Sequence, residues 1–203
     1  TKNTEYGILS PLHYNGKGTG LDFQFNKYLT TSHSYSSRFL EKESKLKVLD
    51  VLFVNAAAWL ISKDSLSIIG GFDPLFFHYG EDENYCQRAR FHGIKIGIAN
   101  FAFIKHDREE RSPNTKVEFS EKYFTAYKKF IGLKYANINI PFSKTTYKEE
   151  YTKAIKNIAK SLLKLNLIHV RGYYKKLSLA KKIEIEILTS RSTNVKKGYH
   201  YIS

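Results

Sequence analysis

The sequence of 203 residues contains no methionine, one cysteine and four prolines. Its single cysteine, Cys86, excludes a disulfide-stabilised scaffold and any zinc site built from several cysteines. The longest apolar stretch, 51–61, is interrupted by Asn55 and is too short to span a bilayer. No signal peptide is recognisable, so we expect a reducing, cytoplasmic setting. Because the chain starts at Thr1 and lacks methionine, we expect it to be part of a longer protein.

Positive charge is what the sequence has in excess, with 33 Lys and Arg against 19 Asp and Glu. The excess is uneven, because residues 1–104 carry 11 basic and 10 acidic groups whereas residues 105–203 carry 22 and 9. Such asymmetry indicates either an anionic partner (a membrane, a nucleic acid or a phosphate-bearing ligand) or a solvated lysine-rich surface. At 42% apolar and 15% aromatic residues, the chain can still bury a core, which excludes wholesale disorder.

The front part of the chain is predicted to alternate strands and helices. Predicted strands are 6–11 (stopped by Pro11), 48–62 and 94–104 (as one strand or two), and predicted helices are 63–69 and 81–92. The glycine-rich segment 13–20 lacks Walker-loop spacing and is interpreted as a hairpin or surface turn.

The back part is predicted to be helical. Helices are expected at 117–131, 147–167 and 172–189, with a linker over 132–146, although Ile183–Ile187 also fits a strand. In the 147–167 helix, Tyr151, Ile155, Ile158, Leu162 and Leu165 share one face, and Lys153, Lys156, Lys160 and Lys164 share the opposite face. Such a helix either lies on an anionic membrane surface or packs its apolar face on the domain.

Four motifs in the stretch 54–106 occur in a fixed order. They are the small-residue segment 55–61 (NAAAWLI), the turn 70–73 (GGFD), the acidic triplet Glu81-Asp82-Glu83 followed by Arg88, and His106 at the end of a strand. In this order the motifs resemble the second half of the catalytic domain of family 2 glycosyltransferases, which have the GT-A fold. The resemblance implies an α/β fold with a partial GT-A mixed sheet over residues 1–132, followed by a basic, mainly helical extension over 133–203.

The resemblance also implies the chemistry. It predicts an inverting glycosyltransferase that moves a sugar from a nucleotide-diphosphate donor to a hydroxyl of a glycan or lipid-linked acceptor in surface polysaccharide synthesis, with Asp82 as the catalytic base. Asp82, at a helix start, is expected to stay ionised. Donor or acceptor binding is assigned to Asn55, Ala57, Trp59, Gly71, Phe72, Glu81 and Arg88, and His106 is a candidate metal ligand.

Each of these residues also has a purely structural interpretation. The acidic triplet fits an ordinary helix start, Trp59 and Cys86 fit a core, and His106 fits a structural position at a strand end. His78 and Tyr79 are further candidates for lining the acceptor site.

The family's nucleotide-binding half, with the Asp-X-Asp motif that holds Mg²⁺ or Mn²⁺ and the donor, has no counterpart in the sequence. We therefore expect these 203 residues alone to have little or no activity. The basic extension is expected to rest on the inner membrane face. The alternative function is a non-catalytic polyanion- or nucleic-acid-binding module, with Tyr173 and Tyr174 stacking on bases, although we expect no nucleic-acid partner.

Overall fold

A computed structural model of the chain describes residues 5–30, 37–40, 45, 47–77, 80–107 and 117–202. Within these residues, four strands form one mixed sheet in the order β2-β4-β1-β3. The strands are β1 (Tyr6–Asn15), β2 (Val48–Asp50), β3 (Leu60–Ile61) and β4 (Lys95–His106). β1 runs parallel to β4, and β2 and β3 run antiparallel to their neighbours. The sheet and the helices around it confirm the predicted α/β class.

β1 is longer than predicted, because it continues through Pro11 to Asn15. Pro11 pairs with Ala99 and the next residue, Leu12, pairs with Phe103, so the partner strand has extra residues at this point. A proline cannot donate a ladder hydrogen bond and is tolerated where the ladder is irregular. Beyond Asn15 the chain turns back as predicted, and Tyr14 bridges to Leu21.

The predicted strand 48–62 is wrong in its middle. Only the short strands β2 and β3 form at its two ends, and the residues between them are an irregular segment. Val54 in that segment is nevertheless buried, and Val51, Phe53 and Trp59 pack against a hydrophobic core, which explains the apolar pattern. β4, by contrast, is one continuous strand, as its alternating apolar residues allow.

The helices are α1 (Phe23–Thr30), α2 (Lys63–Ile69), α3 (Glu81–Phe91), α4 (Glu121–Tyr135), α5 (Lys144–Leu163) and α6 (Leu167–Asn194). α2 ends at Gly70 and α3 is followed by Gly93, both at positive φ, as predicted. Four helices begin at a residue whose side chain accepts a hydrogen bond from a backbone N–H of the first turn. These residues are Ser62 for α2, Ser120 for α4, Ser143 for α5 and Asn166 for α6. Residues 183–187 lie in α6, so the strand alternative there is wrong.

Two hydrophobic cores hold these elements. The first lies between the sheet and α1, α2 and α3, and its largest fully buried apolar side chains are Tyr85, Phe25, Phe39, Ile8, Leu29, Leu49, Ile69 and Ile98. The second joins α4, α5 and α6 to the segment after α2, through Leu75, Phe76, Tyr127, Ile131, Tyr135, Tyr147, Ile183 and Ile187. Residues on both sides of position 132 thus share the second core, and the division at 132 stays a prediction.

The C-terminal segment returns to the turn after α2. Gly198 donates its N–H to Ile68, and Gly71 donates its N–H to His200 at 2.7 Å. A Cβ on Gly70 would lie 2.1 Å from the backbone oxygen of His200. The two glycines of the GGFD turn are therefore required by a close backbone approach as well as by the turn itself.

Candidate functional site

Asp82 lies in the first turn of α3, where the first three helical residues are all acidic. Its Oδ1 accepts the backbone N–H of Glu83 at 2.8 Å. The backbone N–H of Ala56 also donates to this carboxyl group. Two predicted site segments, 55–57 and 81–83, are thereby brought into direct contact by a fold that the sequence alone could not specify.

The pKa of Asp82 is raised, whereas a position at a helix start would by itself lower it. Burial raises the pKa of Asp82, and the charge of Glu81 acts in the same direction. The N–H groups of Glu83 and Ala56 and the charge of Lys129 oppose this increase without cancelling it. Burial likewise raises the pKa of Glu83. Such a carboxyl group is a stronger proton acceptor than an exposed aspartate.

Several buried polar atoms at the start of α3 and in the segment 55–59 have no hydrogen-bond partner among the residues that the structure describes. They are Oε2 of Glu81, Oδ1 of Asn55, Nε1 of Trp59 and both amide atoms of Asn84. Buried polar groups are normally hydrogen-bonded, and unpaired ones are concentrated where a ligand or water completes them. Asn84 was not predicted as a site residue, because an asparagine inside a helix carries no distinguishing signal in the sequence.

Trp59 and Phe72, both predicted to bind donor or acceptor, belong to an aromatic cluster with Tyr85. The Trp59 ring lies 6.2 Å from the Phe72 ring and 5.7 Å from the Tyr85 ring, measured between centroids. Phe72 is exposed, whereas Tyr85 is buried and donates its hydroxyl to Gly70. The cluster therefore presents an aromatic surface on one side and is anchored in the first core on the other. Ala57 is exposed in the same region.

Arg88 is 1% exposed and contacts the turn after α2. Its guanidinium donates to the carbonyl of Gly71 at 2.8 Å and also to the carbonyl of Ile69. It lies over the Tyr85 ring on one side and the Tyr201 ring on another. These contacts make Arg88 a brace for the GGFD turn, and the phosphate contact implied by the resemblance stays a prediction.

Asp73 is the residue of the GGFD turn whose structural role the sequence did not indicate. It is 3% exposed and caps its own turn by accepting the N–H of Leu75. Its other oxygen accepts hydrogen bonds from Ser190 and Asn194, both at 2.7 Å. Asp73 therefore connects the turn that supports α3 to the last turns of α6.

His106 ends β4, as predicted, and its ring contacts that of His13 edge-on at 5.9 Å. His13 in turn is buried, stacks on Phe25 and lies 3.0 Å from the hydroxyl of Ser10. No group of three or more His, Cys, Asp or Glu side chains suited to a metal ion occurs in the described part of the chain. The ligand role of His106 stays a prediction, and His78 and Tyr79 lie outside the described residues.

A groove of about 510 Å³ lies between α3 and α4, directly beside the acidic triplet. It is lined by Glu83, Ala126, Lys129, Phe130, Leu133 and Lys134. Lys134 is half-exposed and lies over the ring of Phe130, so the groove offers both a cation and an apolar face. Sequence reasoning missed it, because its lining comes from a helix that follows the recognised motifs.

No family model, curated protein or solved structure matches the chain. The resemblance to glycosyltransferases therefore rests on the order of its motifs. None of the helices that the structure describes is long and apolar enough to cross a membrane.

Proposed function

We propose that the chain is the acceptor-side part of an inverting glycosyltransferase of the GT-A type, with Asp82 as the base. In the proposed reaction, the oxygen of an acceptor hydroxyl attacks the anomeric carbon of a nucleotide-diphosphate sugar. The bond from that carbon to the diphosphate breaks, the nucleoside diphosphate leaves with the electron pair, and Asp82 takes the hydroxyl proton.

The environment of Asp82 is the observation that carries the proposal. The carboxyl group is held in place by the N–H groups of Glu83 and Ala56, and burial raises its pKa. A base fixed by two backbone donors loses little freedom in the transition state, and a raised pKa makes it a better acceptor of the hydroxyl proton. Oε2 of Glu81 lies in the same helical turn, is buried and has no hydrogen-bond partner among the described residues, and we propose that it accepts a hydroxyl group of the acceptor.

The groove beside Glu83 is the proposed acceptor site. It opens next to the acidic triplet, and its Lys129 suits an acceptor with an anionic group such as a lipid-linked phosphate, whereas Lys134 is already paired with Glu150 at 3.7 Å. Phe130 is 56% exposed and offers an apolar surface to a sugar ring or a hydrocarbon chain.

Mg²⁺ or Mn²⁺ remains the proposed cofactor on the resemblance alone. The described residues do not assemble a ligand set for it, and the Asp-X-Asp motif does not occur in the sequence. No step of the proposed reaction is therefore routed through the metal. In this chain, the residues argued to act are Asp82 as base and Glu81 as the group that positions the acceptor.

Because this chain alone is expected to have little or no activity, the proposal is tested with a protein that carries both this chain and a nucleotide-binding half. It is incubated with a panel of nucleotide-diphosphate sugars and glycan or lipid-phosphate acceptors, and the released nucleoside diphosphate is measured. Asp82→Asn should abolish acceptor-dependent release while leaving the circular dichroism spectrum unchanged. Asp64→Asn, which removes an exposed carboxylate from α2, is the matched control and should retain the wild-type rate. Undiminished turnover by Asp82→Asn would exclude Asp82 as the base.

No contact in the described residues favours the alternative of a nucleic-acid-binding module. Tyr173 packs against Phe119 at 5.0 Å, and Lys175 and Lys176 lie over the rings of Phe124 and Tyr127. These side chains are thus engaged within the chain, and of the candidate stacking residues Tyr174 alone is strongly exposed, at 67%.

A further inference from the structure

The turn between α5 and α6 carries a cluster of exposed aliphatic side chains. We name it the tip patch, and its members with their exposed fractions are Leu162 (51%), Leu163 (87%), Leu165 (87%), Leu167 (65%) and Ile168 (75%). They lie within seven consecutive residues at the end of a helical hairpin. Scattered single leucines on a surface are ordinary, but a contiguous group of this kind marks an interaction site.

The packing of α5 explains why these side chains remain outside. The buried residues of α5 are Tyr147, Glu150, Ala154 and Ser161. On average they lie about 70° around the helix axis from the apolar stripe that the sequence predicts, which runs from Tyr151 to Leu165. Tyr147 fixes this rotation by donating its hydroxyl to the carbonyl of Ala180 at 2.7 Å. Of the predicted stripe, Tyr151 and Ile158 are half-buried, while Ile155, Leu162 and Leu165 are exposed. The stripe therefore packs on the rest of the chain only in part, through Tyr151 and Ile158, and its leucines at the end of the helix remain outside.

Leu165 occupies a position that is unfavourable for leucine in two respects. It has φ of 51°, in the left-handed region, and its N–H donates to Leu162 while the N–H of Asn166 donates to Ser161. This pattern is a Schellman motif, in which glycine or asparagine is the preferred residue at the left-handed position. A leucine there strains the backbone and exposes its side chain to water, and both effects destabilise the folded chain.

The charged residues that flank the tip patch in the sequence are all basic. Residues 151–183 include nine Lys or Arg and no Asp or Glu. Nearest to the tip patch are Lys156, Lys160, Lys164 and Arg171, which we name the basic collar; all four are exposed. No collar residue forms a salt bridge within the described part of the chain, whereas Lys153 and Lys175, farther down the hairpin, pair with glutamates.

From these observations we infer that the tip of the α5–α6 hairpin docks into the interface of an anionic lipid bilayer. The aliphatic side chains would enter the boundary between headgroups and acyl chains, and the collar would contact anionic headgroups. A second copy of the chain is disfavoured as the occupant, because two collars would repel each other. A nucleic acid is disfavoured because the tip patch contains no aromatic ring for stacking and would leave its leucines in water.

This inference is independent of the proposed transfer reaction, because it concerns the far end of the long hairpin. α6 has 28 residues and is therefore about 42 Å long. Its last turns contact Asp73, and its first residues belong to the tip patch. A variant can therefore lose membrane docking at one end of the hairpin and keep the proposed reaction near the other end, and the two properties can be measured separately.

Flotation of the full chain with lipid vesicles tests the inference. Vesicles of phosphatidylcholine with 30% phosphatidylglycerol should bind the protein at low salt, and pure phosphatidylcholine vesicles should bind it at least about tenfold more weakly. The variant Leu163→Gln/Leu165→Asn/Ile168→Gln should weaken binding to the anionic vesicles by at least about tenfold. Ile185→Gln, at a position of α6 that is 72% exposed but far from the tip, is the control and should bind normally.

A single substitution separates membrane docking from folding. Leu165→Asn relieves the left-handed strain, so it should raise the melting temperature while weakening vesicle binding.

The collar is tested by the variant Lys160→Gln/Lys164→Gln/Arg171→Gln, which should lose the preference for anionic over neutral vesicles. The control Lys63→Gln/Lys196→Gln/Lys197→Gln removes the same charge elsewhere and should keep this preference. Absence of vesicle binding at low salt, or equal losses in the tip and control variants, would overturn the inference.

Insertion can be observed directly with a fluorophore. Cys86 is buried, so a cysteine introduced by Leu165→Cys is the site that reacts with an environment-sensitive thiol dye. Anionic vesicles should shift its emission to the blue, and lipids brominated near the headgroup end of their acyl chains should quench it. Binding without a shift or quenching would mean that headgroup charge alone attracts the chain, and the docking of the tip patch would be refuted.

Discussion

Ser190 donates a hydrogen bond of 2.7 Å to Oδ2 of Asp73, which precedes it by 117 residues in the chain. Asn194 donates to the same oxygen and contacts Ser190 at 3.1 Å, so three buried side chains form one network. The network connects the turn before α3 to the end of α6, and hence the proposed base to the helical hairpin.

This network should contribute strongly to stability. Asp73→Ala leaves the buried Ser190 and Asn194 without their acceptor and should lower the free energy of unfolding by about 2–4 kcal/mol. Ser190→Ala removes one donor and should lower it by about 1–2 kcal/mol. The control is Ser192→Ala on the exposed side of α6, expected to lie within about 0.5 kcal/mol of wild type. Urea denaturation measures all three, and equal effects of Ser190→Ala and Ser192→Ala would contradict the role of the network.

Gly70 should be more sensitive to substitution than Gly93, although both have positive φ. Gly70→Ala places a Cβ 2.1 Å from the His200 oxygen, whereas no atom lies within 4 Å of a Cβ on Gly93. We expect Gly93→Ala to lower the free energy of unfolding by about 1 kcal/mol through backbone strain, and Gly70→Ala by about 2–4 kcal/mol through strain and overlap.

Removal of residues 198–203 isolates the contribution of the overlap. In the shortened chain, the cost of Gly70→Ala should fall towards that of strain alone, because its backbone neighbour is gone. An unchanged cost in the shortened chain would show that the conformation of Gly70, with φ of 78° and ψ of −155°, accounts for the whole effect.

Local signals made part of this fold predictable. α2 and α3 begin where predicted, because terminal glycines and an acidic first turn are signals that depend on neighbouring residues alone. The strand predicted over 48–62 is wrong in its middle. Buried residues such as Val54 and Asn55 give the same sequence pattern in a loop as in a strand. In α5, the buried face is set by the contact of Tyr147 with Ala180, 33 residues away, and no periodicity in the helix reports it.

In the candidate site too, some features could be predicted from the sequence and others could not. The acidic triplet was recognisable as a motif, but its contact with Ala56 depends on how the irregular segment folds back onto α3. The bracing contacts of Arg88 and the network of Asp73 involve carbonyls and side chains that are distant in sequence. Their partners could not be inferred from residue types.

Asp82 should cost stability at neutral pH. Because burial raises its pKa, the folded state binds the proton more tightly than the unfolded state, so stability falls as pH rises through the interval between the two pKa values. Asp82→Asn lacks this titration. The free energy of unfolding of the variant minus that of wild type should therefore increase from about pH 4 to pH 7.5, as measured by urea denaturation. A difference that does not change with pH would contradict the raised pKa.

Cys86 should be unreactive in the folded protein. Burial raises the pKa of its thiol to about 12, and the side chain is 1% exposed. At pH 8 the thiolate fraction is then about 10⁻⁴, against roughly a quarter for an ordinary cysteine. We expect modification by a chromogenic disulfide reagent to be at least about 1,000-fold slower than in 8 M urea. Rapid modification without denaturant would show that the helix carrying Asp82 opens readily.

Arg88 distinguishes the bracing role seen in the structure from the phosphate-binding role implied by the resemblance to glycosyltransferases. In this fold its two carbonyl contacts require the fork of a guanidinium, which lysine cannot reproduce. Arg88→Lys should therefore lower the free energy of unfolding by about 2–4 kcal/mol, because Gly71 and Ile69 lose buried donors. Arg90→Lys, on a half-buried position of the same helix, should change it by less than about 0.5 kcal/mol. If Arg88→Lys unfolds like wild type, the bracing role is wrong.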